Sequence, residues 1–262
     1  MKRQCALLLV ACVYAYGAPV EPPTMMPGNC KDPSTLGAAG LALTRINRDR
    51  KQGYIFSLSR LSNANHMRHG PTGVVFYLTM DVLETKCHVL SKREWKSCEV
   101  RQIDDTPVYG QCKATIYVNK VQRVVRLYSY SCSMRPAPAS KIVEICPDCP
   151  SQIAQDDENI LRTMKMALEK YNKESGNSNY FASLNVTRAS TQGGFVEFYF
   201  VEFTIQETMC SNTTDVSQAA KCALMDCEFA HTGHCTGSHT ESQENDVTVE
   251  CDLFEPEVKN SK

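Results

Sequence analysis

Two stretches of the chain alternate apolar and polar residues, and each runs up to a cysteine. The apolar side chains fall 11, 9, 7 and 5 places before Cys87 in one stretch and before Cys210 in the other. They are Phe76, Leu78, Met80 and Val82 in the first and Tyr199, Val201, Phe203 and Ile205 in the second. A period of two is typical of a β-strand with one buried face. The pattern therefore predicts two equivalent strands, about 120 residues apart.

An amphipathic helix is predicted ahead of each of these strands. The apolar positions at helical spacing are Leu36, Ala39, Leu43 and Ile46 in the first helix and Ile160, Met164, Leu168 and Tyr171 in the second. Asp32-Pro33-Ser34 is suited to cap the first helix, which we expect to end near Arg50.

The segments between these elements give weaker patterns. After the first helix we expect a short strand at residues 54–58, and then a polar loop through Asn63, His66 and His69 to Gly73. Beyond Cys87, a hairpin is predicted between Cys112 and Cys132.

One helix followed by several antiparallel strands therefore occurs twice. This predicts an α+β fold of two tandem domains, each with one helix packed on a curled antiparallel sheet. The expected organisation is a signal peptide at 1–17, a leader at 18–33, a first domain at 34–140, a linker at 141–150, a second domain at 151–254 and a short tail at 255–262.

The amino terminus indicates export. Lys2 and Arg3 precede an apolar run that is too short to span a bilayer, and Ala15-Tyr16-Gly17 has the form of a signal-peptidase site. No later stretch approaches the roughly 20 apolar residues of a membrane helix. We therefore expect a secreted, extracellular protein that is not anchored to a membrane.

The net charge of the chain limits the classes of partner that we expect. Loss of Lys2 and Arg3 takes the 28 basic residues to 26 against 29 acidic ones, a formal charge of −3. This balance gives no reason to expect nucleic acid or a membrane surface as a partner, and we expect a monomer. Two sequons place N-glycosylation at Asn185 and Asn212.

Twelve of the 14 cysteines follow the signal peptide, an even number that favours a disulfide framework in an exported protein. Spacing alone leaves the connectivity open. The most economical pairing joins Cys87 with Cys98, Cys112 with Cys132, Cys146 with Cys149, Cys210 with Cys222 and Cys235 with Cys251. A remaining bond between Cys30 and Cys227 would attach the leader to the second domain.

Cys146-Pro147-Asp148-Cys149-Pro150 lies between the two repeats. Two cysteines three apart can close a small ring, and the prolines fix φ on both sides. By spacing alone, this ring is a structural crosslink in a linker or a redox Cys-x-x-Cys site, although Pro150 argues against the redox interpretation. A third interpretation is that the ring presents the Asp148 carboxylate as a ligand for a metal on a partner.

Five motifs in order resemble the fetuin-B branch of the fetuin family, within the type-3 cystatins. They are the segments 76–85 (FYLTMDVLET), 87–91 (CHVLS), 108–114 (VYGQCKA), 146–150 (CPDCP) and 247–251 (VTVEC). The resemblance covers nearly all of the expected mature chain. It departs at the end, because the family continues into a long tail that carries the partner of its first cysteine, whereas this sequence stops eleven residues after Cys251.

The resemblance implies an inhibitor of astacin-family zinc metalloproteinases such as ovastacin. Asp148 is then the ligand directed at the zinc of the proteinase, and Cys146, Pro147, Cys149 and Pro150 hold it. Hairpin residues Gln192, Gly193 and Gly194 are expected near the enzyme. The protein is expected to hold no cofactor and no metal of its own. It lacks His-Glu-x-x-His, Gly-x-Ser-x-Gly and a glycine-rich phosphate loop, so we do not expect an enzyme.

Other functions are weaker candidates. Inhibition of papain-like proteases needs a Gln-x-Val-x-Gly hairpin, which residues 68–73 and 191–195 do not contain. Mineral or ion carriage, as in fetuin-A, needs an array of carboxylates, but the outward face of the strand before Cys87 offers only Asp81. Carriage is the alternative function. His231 and His234 are assigned to a polar loop rather than to a metal site.

Overall fold

The computed structural model describes residues 24–215, 221–241 and 243–256, which form two antiparallel sheets with one long helix on each. In the first domain, helix α1 (Pro33–Asp49) covers a sheet of strand order β1-β2-β3-β4-β5. Its strands are β1 (Met26–Pro27), β2 (Tyr54–His69), β3 (Gly73–His88), β4 (Val108–Asn119) and β5 (Val124–Pro136).

The second domain repeats this plan after a short helix, α2 (Ala139–Ile145). Helix α3 (Glu158–Glu174) covers a sheet of strand order β10-β9-β8-β7-β6. Its strands are β6 (Ser151–Gln152), β7 (Asn179–Gln192), β8 (Phe198–Ser211), β9 (Thr232–Thr240) and β10 (Gln243–Phe254). The predicted α+β architecture of two cystatin-like units is confirmed. The expected signal peptide, residues 18–23 of the leader and residues 257–262 of the tail lie outside the described residues.

The two alternating stretches are β3 and β8, and their predicted apolar faces are buried. Each face packs against the helix of its own domain. Burial of a large aliphatic or aromatic side chain stabilises a fold by roughly 1.5–3 kcal/mol, so each face contributes to the stability of its domain. None of the helices in the described part of the chain is both long and apolar enough to cross a membrane.

Helix α1 begins at Pro33, and Asp32 caps it by accepting a hydrogen bond from the Thr35 N–H at 3.0 Å. Its buried face is made largely of Ala38, Ala39, Ala42, Leu43 and Ile46. The predicted position of Leu36 in this face is wrong, because that side chain is 41% exposed. Small alanines allow the helix to approach the sheet closely, and this turns Leu36 away from the core. In α3, Ile160 is buried and Met164, Leu168 and Tyr171 pack against the core as predicted.

Strand β2 is much longer than the predicted segment 54–58. The stretch expected to be a polar loop pairs with β3 as far as the His69↔Gly73 position, so the loop assignment of His66 and His69 is wrong. Leu61 and Ala64 are buried, whereas Arg60, Ser62 and Asn63 beside them are exposed. With only two apolar anchors in this stretch, pairing with β3 rather than local pattern sets the length of β2.

All five neighbouring cysteine pairs form disulfides, as predicted: Cys87–Cys98, Cys112–Cys132, Cys146–Cys149, Cys210–Cys222 and Cys235–Cys251. The predicted Cys30–Cys227 bond is wrong, since both cysteines are free. Cys30 is half-buried against the core of the first domain, whereas Cys227 is exposed in the segment of the second domain between β8 and β9. The two thiols thus belong to separate domains that pack independently of them.

The domains are joined by a buried set of side chains, Tyr54, Glu84, Arg101, Arg188 and Glu202, which we call the interdomain cluster. Both terminal nitrogens of Arg101 donate to the Glu202 carboxylate, each at 2.8 Å. The Tyr54 hydroxyl donates to the same carboxylate at 2.6 Å. In the opposite direction, Arg188 of the second domain pairs with Glu84 of the first. Because removal of one partner leaves a buried charge uncompensated, the cluster favours a single arrangement of the domains.

Burial and neighbouring charges shift the pKa values of the carboxyls in this cluster in opposite directions. Burial raises the pKa of the Tyr54 hydroxyl and of the Glu84 carboxyl. Burial also disfavours the charged form of Glu202, but the adjacent Arg101 guanidinium holds the Glu202 pKa below its usual range. The pKa values of the two carboxyls are therefore shifted in opposite directions, upwards for Glu84 and downwards for Glu202.

Two histidine rings lie beside the cluster. His88 and His234 stack with centroids 4.8 Å apart, and each meets the Tyr54 ring edge-on. Burial lowers both pKa values, and together with the neighbouring His234 it brings that of His88 to about 4. The prediction that His234 lies in a polar loop is wrong, because it is buried on β9; His231 lies just before β9 and contacts Glu207 at 2.8 Å.

Substitution of Gly237 should destabilise the second domain. A β-carbon added at this position of β9 would lie 2.8 Å from the Ala167 Cβ of α3, too close without a shift of the helix. We expect Gly237→Ala to lower the free energy of unfolding by about 1–3 kcal/mol in urea denaturation. The control is Gly37→Ala on the exposed side of α1, where nothing lies within 4 Å; this change should stabilise by about 0.5–1 kcal/mol. Equal effects of the two substitutions would contradict the close approach of α3 to β9.

Stability should fall in mild acid because of His88. In the folded state its pKa is about 4 against an ordinary 6.5, so between these values the unfolded chain binds more protons. The stability contributed by neutral His88 is present above pH 6.5 and is lost as the pH falls towards 4. Chemical denaturation across this range should show a loss of about 3 kcal/mol that is reduced in His88→Phe. A His88→Phe slope as steep as wild type would refute the assignment.

Candidate functional site

The linker between the domains starts with a helix that the sequence pattern did not reveal. Helix α2 packs its single buried side chain, Ile142, at the junction, and it contacts both β6 and the turn Ile103–Asp105 of the first domain. The helix ends where the Cys146 N–H donates to the Ile142 carbonyl at 2.8 Å. The ring of residues 146–149 therefore begins at the end of an anchored helix.

The ring projects from the surface. Cys146 and Cys149 form a disulfide with Cα atoms 5.3 Å apart, and the Cys149 N–H donates to the Cys146 carbonyl at 3.2 Å. Pro147 and Asp148 are exposed, whereas Cys146, Cys149 and Pro150 are half-buried. Disulfide, backbone hydrogen bond and proline together restrict this turn, so Asp148 is held at its tip with few backbone alternatives.

The second domain supports the ring from one side. Immediately after it, β6 pairs with the end of β7, in the register Ser151↔Thr191. The side-chain amide of Gln192, the last residue of β7, donates to the Asp148 carbonyl at 2.7 Å. Gly193 and Gly194 follow in the exposed turn between β7 and β8. The structure thus brings Gln192 into contact with Asp148 and places the two glycines next to it.

Phe195, which the sequence analysis overlooked, lies at the tip of this turn. Its side chain is as exposed as in an extended peptide, at 111% of the reference area. Phe198 begins β8, is 41% exposed and stacks on Phe200 at 6.4 Å. The available signal was a phenylalanine placed directly after two glycines, where a hairpin tip is expected to be polar. Phe195 is thus a fully exposed aromatic side chain in the turn that directly follows Gln192.

The other candidate sites have less structural support than the ring. No group of three or more histidine, cysteine, aspartate or glutamate side chains is placed to hold a metal within the described ranges. Asp81, the one carboxylate on the outward face of β3, is engaged by Arg60, Ser62 and Gln111. The sequon residues Asn185 and Asn212 are both exposed.

The comparisons with known proteins agree on one family. Residues 148–243 match the cystatin domain model. Human fetuin-B is 42% identical over 257 residues, which cover 96% of this chain and 66% of the relative. The chain thus spans slightly less than two thirds of the length of that protein.

Solved structures are similar to this chain in both sequence and fold. Mouse fetuin-B in an inhibitory complex with human meprin beta superposes with a TM-score of 0.77 at 36% identity, covering 88% of this chain and 75% of that one. Mouse fetuin-B in complex with crayfish astacin gives a TM-score of 0.71 at 34% identity, covering 90% and 76%. Since both domains and the segment between them are included in these matches, the chain belongs to the fetuin-B branch of the fetuin family.

Proposed function

We propose that this protein is an extracellular inhibitor of astacin-family zinc metalloproteinases and that Asp148 is the residue directed at their zinc. The observation that carries the proposal is the exposed Asp148 at the tip of a disulfide-closed turn, with its carbonyl held by Gln192. The relatives support it, because mouse fetuin-B forms complexes with human meprin beta and with crayfish astacin.

The Asp148 carboxylate is suited to bind a catalytic zinc. Such a zinc has three protein ligands and an open position that holds water, and a carboxylate oxygen can occupy this position at about 2.0–2.2 Å. The carboxylate brings a negative charge to the metal and displaces the water that would attack a peptide bond. The proteinase then lacks its nucleophile for as long as the inhibitor stays bound.

The closed turn is also expected to resist cleavage by the proteinase. A substrate binds to such a proteinase in an extended conformation, whereas the Cys146–Cys149 ring holds a turn with Cα atoms 5.3 Å apart at its ends. Pro147, within the ring, and Pro150, directly after it, have no backbone N–H to donate. Because the turn is ordered before binding, docking costs little conformational entropy.

Apolar groups on both sides of Asp148 extend the contact surface. Phe195 protrudes from the turn of the second domain, and Ile145, 67% exposed, ends α2 directly before the ring. A hydrophobic contact on each side of a central polar anchor excludes water from it, as in other tight protein interfaces. Gln192, Gly193 and Gly194 then lie at the rim of the proteinase cleft.

An extracellular location fits the five disulfides, which persist in oxidising compartments. Asn185 and Asn212 are exposed and accessible to glycosylation in the same compartment.

Loss of the Asp148 carboxylate should abolish most of the inhibition. We expect Asp148→Asn to raise the inhibition constant for an astacin-type enzyme about 100-fold, equivalent to about 3 kcal/mol, because a charged metal ligand is lost while the shape is retained. Asp156→Asn, an exposed aspartate eight residues further on, should inhibit like the native protein. The native protein and both variants are also assayed against a matrix metalloproteinase and papain. Equal potency of Asp148→Asn would remove this residue from the mechanism, and inhibition of papain alone would move the function to the cystatin class.

Opening the ring should convert the loop into a substrate. In the double variant Cys146→Ser, Cys149→Ser we expect inhibition about tenfold weaker or worse, since the entropy saved by the closed turn is lost. Mass spectrometry should then detect cleavage within residues 146–150 after incubation with the proteinase. The matched control is Cys227→Ser, at an exposed free cysteine. A double variant that stays intact and fully potent would show that the ring is only a structural crosslink.

A further inference from the structure

Both ends of the linker rest on the same short segment of the first domain, residues 103–107. On the entry side, the Ala137 N–H donates to the Pro107 carbonyl at 2.9 Å, and α2 packs on the turn Ile103–Asp105. On the exit side, the Gln152 side-chain amide approaches the Thr106 hydroxyl at 3.5 Å. One segment thus contacts the chain before and after the ring.

Thr106 has an unusual backbone at the centre of this segment. Its φ of 40° and ψ of 71° lie in the left-handed region, and the residue is 2% exposed. A β-branched residue in this region costs about 1–3 kcal/mol, and it persists only where the surroundings enforce it. Arg188 holds Thr106 in this conformation, because its Nη1 donates to the Thr106 carbonyl at 2.9 Å and to the Thr106 hydroxyl at 2.7 Å.

Arg188 connects this segment with the other support of the ring. Arg188 and Gln192 belong to the same strand, β7, and lie on the same face because side chains alternate along a strand. Gln192 holds the Asp148 carbonyl. The first domain, through Thr106 and Arg188, therefore fixes the strand that positions the ring.

Pro150, directly after the ring, lines a groove of about 520 Å³ together with residues of both domains, among them Asp104, Thr106, Arg188 and Glu250. The polar contacts of Thr106 and Gln192 therefore act alongside the packing of Ile142 and the pairing of β6 with β7.

We propose that Thr106, in the first domain, is a positioning residue for Asp148: it sets the height and direction of the inhibitory ring without touching the proteinase. The inhibitory part of the claim rests on the proposed function, whereas the positioning itself does not. The first domain then contributes to inhibition by ordering the linker in advance.

The test compares Thr106→Gly, Thr106→Ser and a control. Glycine removes the hydroxyl but suits a positive φ, so the fold should not be lost; serine keeps the hydroxyl. The control is Arg123→Gly, which relieves a similar φ of 54° in the turn between β4 and β5, away from the linker. A second variant, Gln152→Ala, removes the contact from the linker side at an exposed position that does not threaten folding.

Amide hydrogen exchange is measured first, without any proteinase. The reporters are the Cys146, Cys149 and Ile153 amides, each hydrogen-bonded at or beside the ring. In Thr106→Gly and Gln152→Ala we expect their exchange to speed up about tenfold while urea denaturation shows no loss of global stability. Thr106→Ser and Arg123→Gly should exchange as the native protein does. Unchanged exchange in Thr106→Gly, or faster exchange in Thr106→Ser, would overturn the proposal.

Inhibition of an astacin-type enzyme is measured second. Thr106→Gly should raise the inhibition constant about tenfold, with Thr106→Ser within about twofold of native. If the native protein does not inhibit at all, the proposed function fails while the exchange result stands. If exchange speeds up and inhibition is unchanged, Thr106 does not position Asp148 for binding, and the proposal is wrong.

Discussion

The buried pairing of Arg101 with Glu202 is the interaction on which the relation between the domains depends. Loss of either side chain alone would leave its partner as a largely buried charge without a counter-ion. Tyr54 adds a hydrogen bond to the same carboxylate, and its ring lies 4.4 Å from the guanidinium carbon of Arg101. Two domains joined only by the segment 137–150 between β5 and β6 would otherwise move independently. With this pairing, any segment between them has fixed ends.

Fixed ends change what a small disulfide ring can do. On a mobile tether, a four-residue ring would be locally rigid but free in orientation. Here α2 anchors one end through Ile142, and pairing of β6 with β7 anchors the other. Local chemistry therefore sets the shape of the turn, while the domain interface sets its direction. The affinity of such a loop depends on both, because each immobilised degree of freedom is one that binding need not restrict.

Much of the fold was accessible from the sequence because it is encoded locally. The alternation in β3 and β8, the stripe of α3 and the spacing of ten cysteines each indicate structure within a short window. Failures occurred where distant partners decide the outcome. Leu36 lies outside the core because alanines pack α1 closer, β2 extends because β3 pairs with it, and His234 is buried because another domain covers it.

The residues of the candidate site also divide into those that a local pattern indicates and those that depend on distant contacts. Asp148 and its ring were found from five consecutive residues, whereas Gln192 was expected only from the family resemblance. Phe195 carried only a faint signal, and Thr106 none, since its role arises from an arginine 82 positions away. Contacts at that separation are fixed by the assembled domains, so no local pattern could indicate them.

The disulfides Cys112–Cys132 and Cys235–Cys251 have a consequence at the margins of the sheets. Each joins directly opposed residues on an outermost strand, β5 or β10, and its neighbour, with Cα atoms 4.1 Å apart. An outer strand with unpaired backbone groups on one side invites exchange with a second molecule. Covalent attachment near the middle of the strand prevents it from detaching, so strand swapping through β5 or β10 is closed to this protein while the bonds remain oxidised.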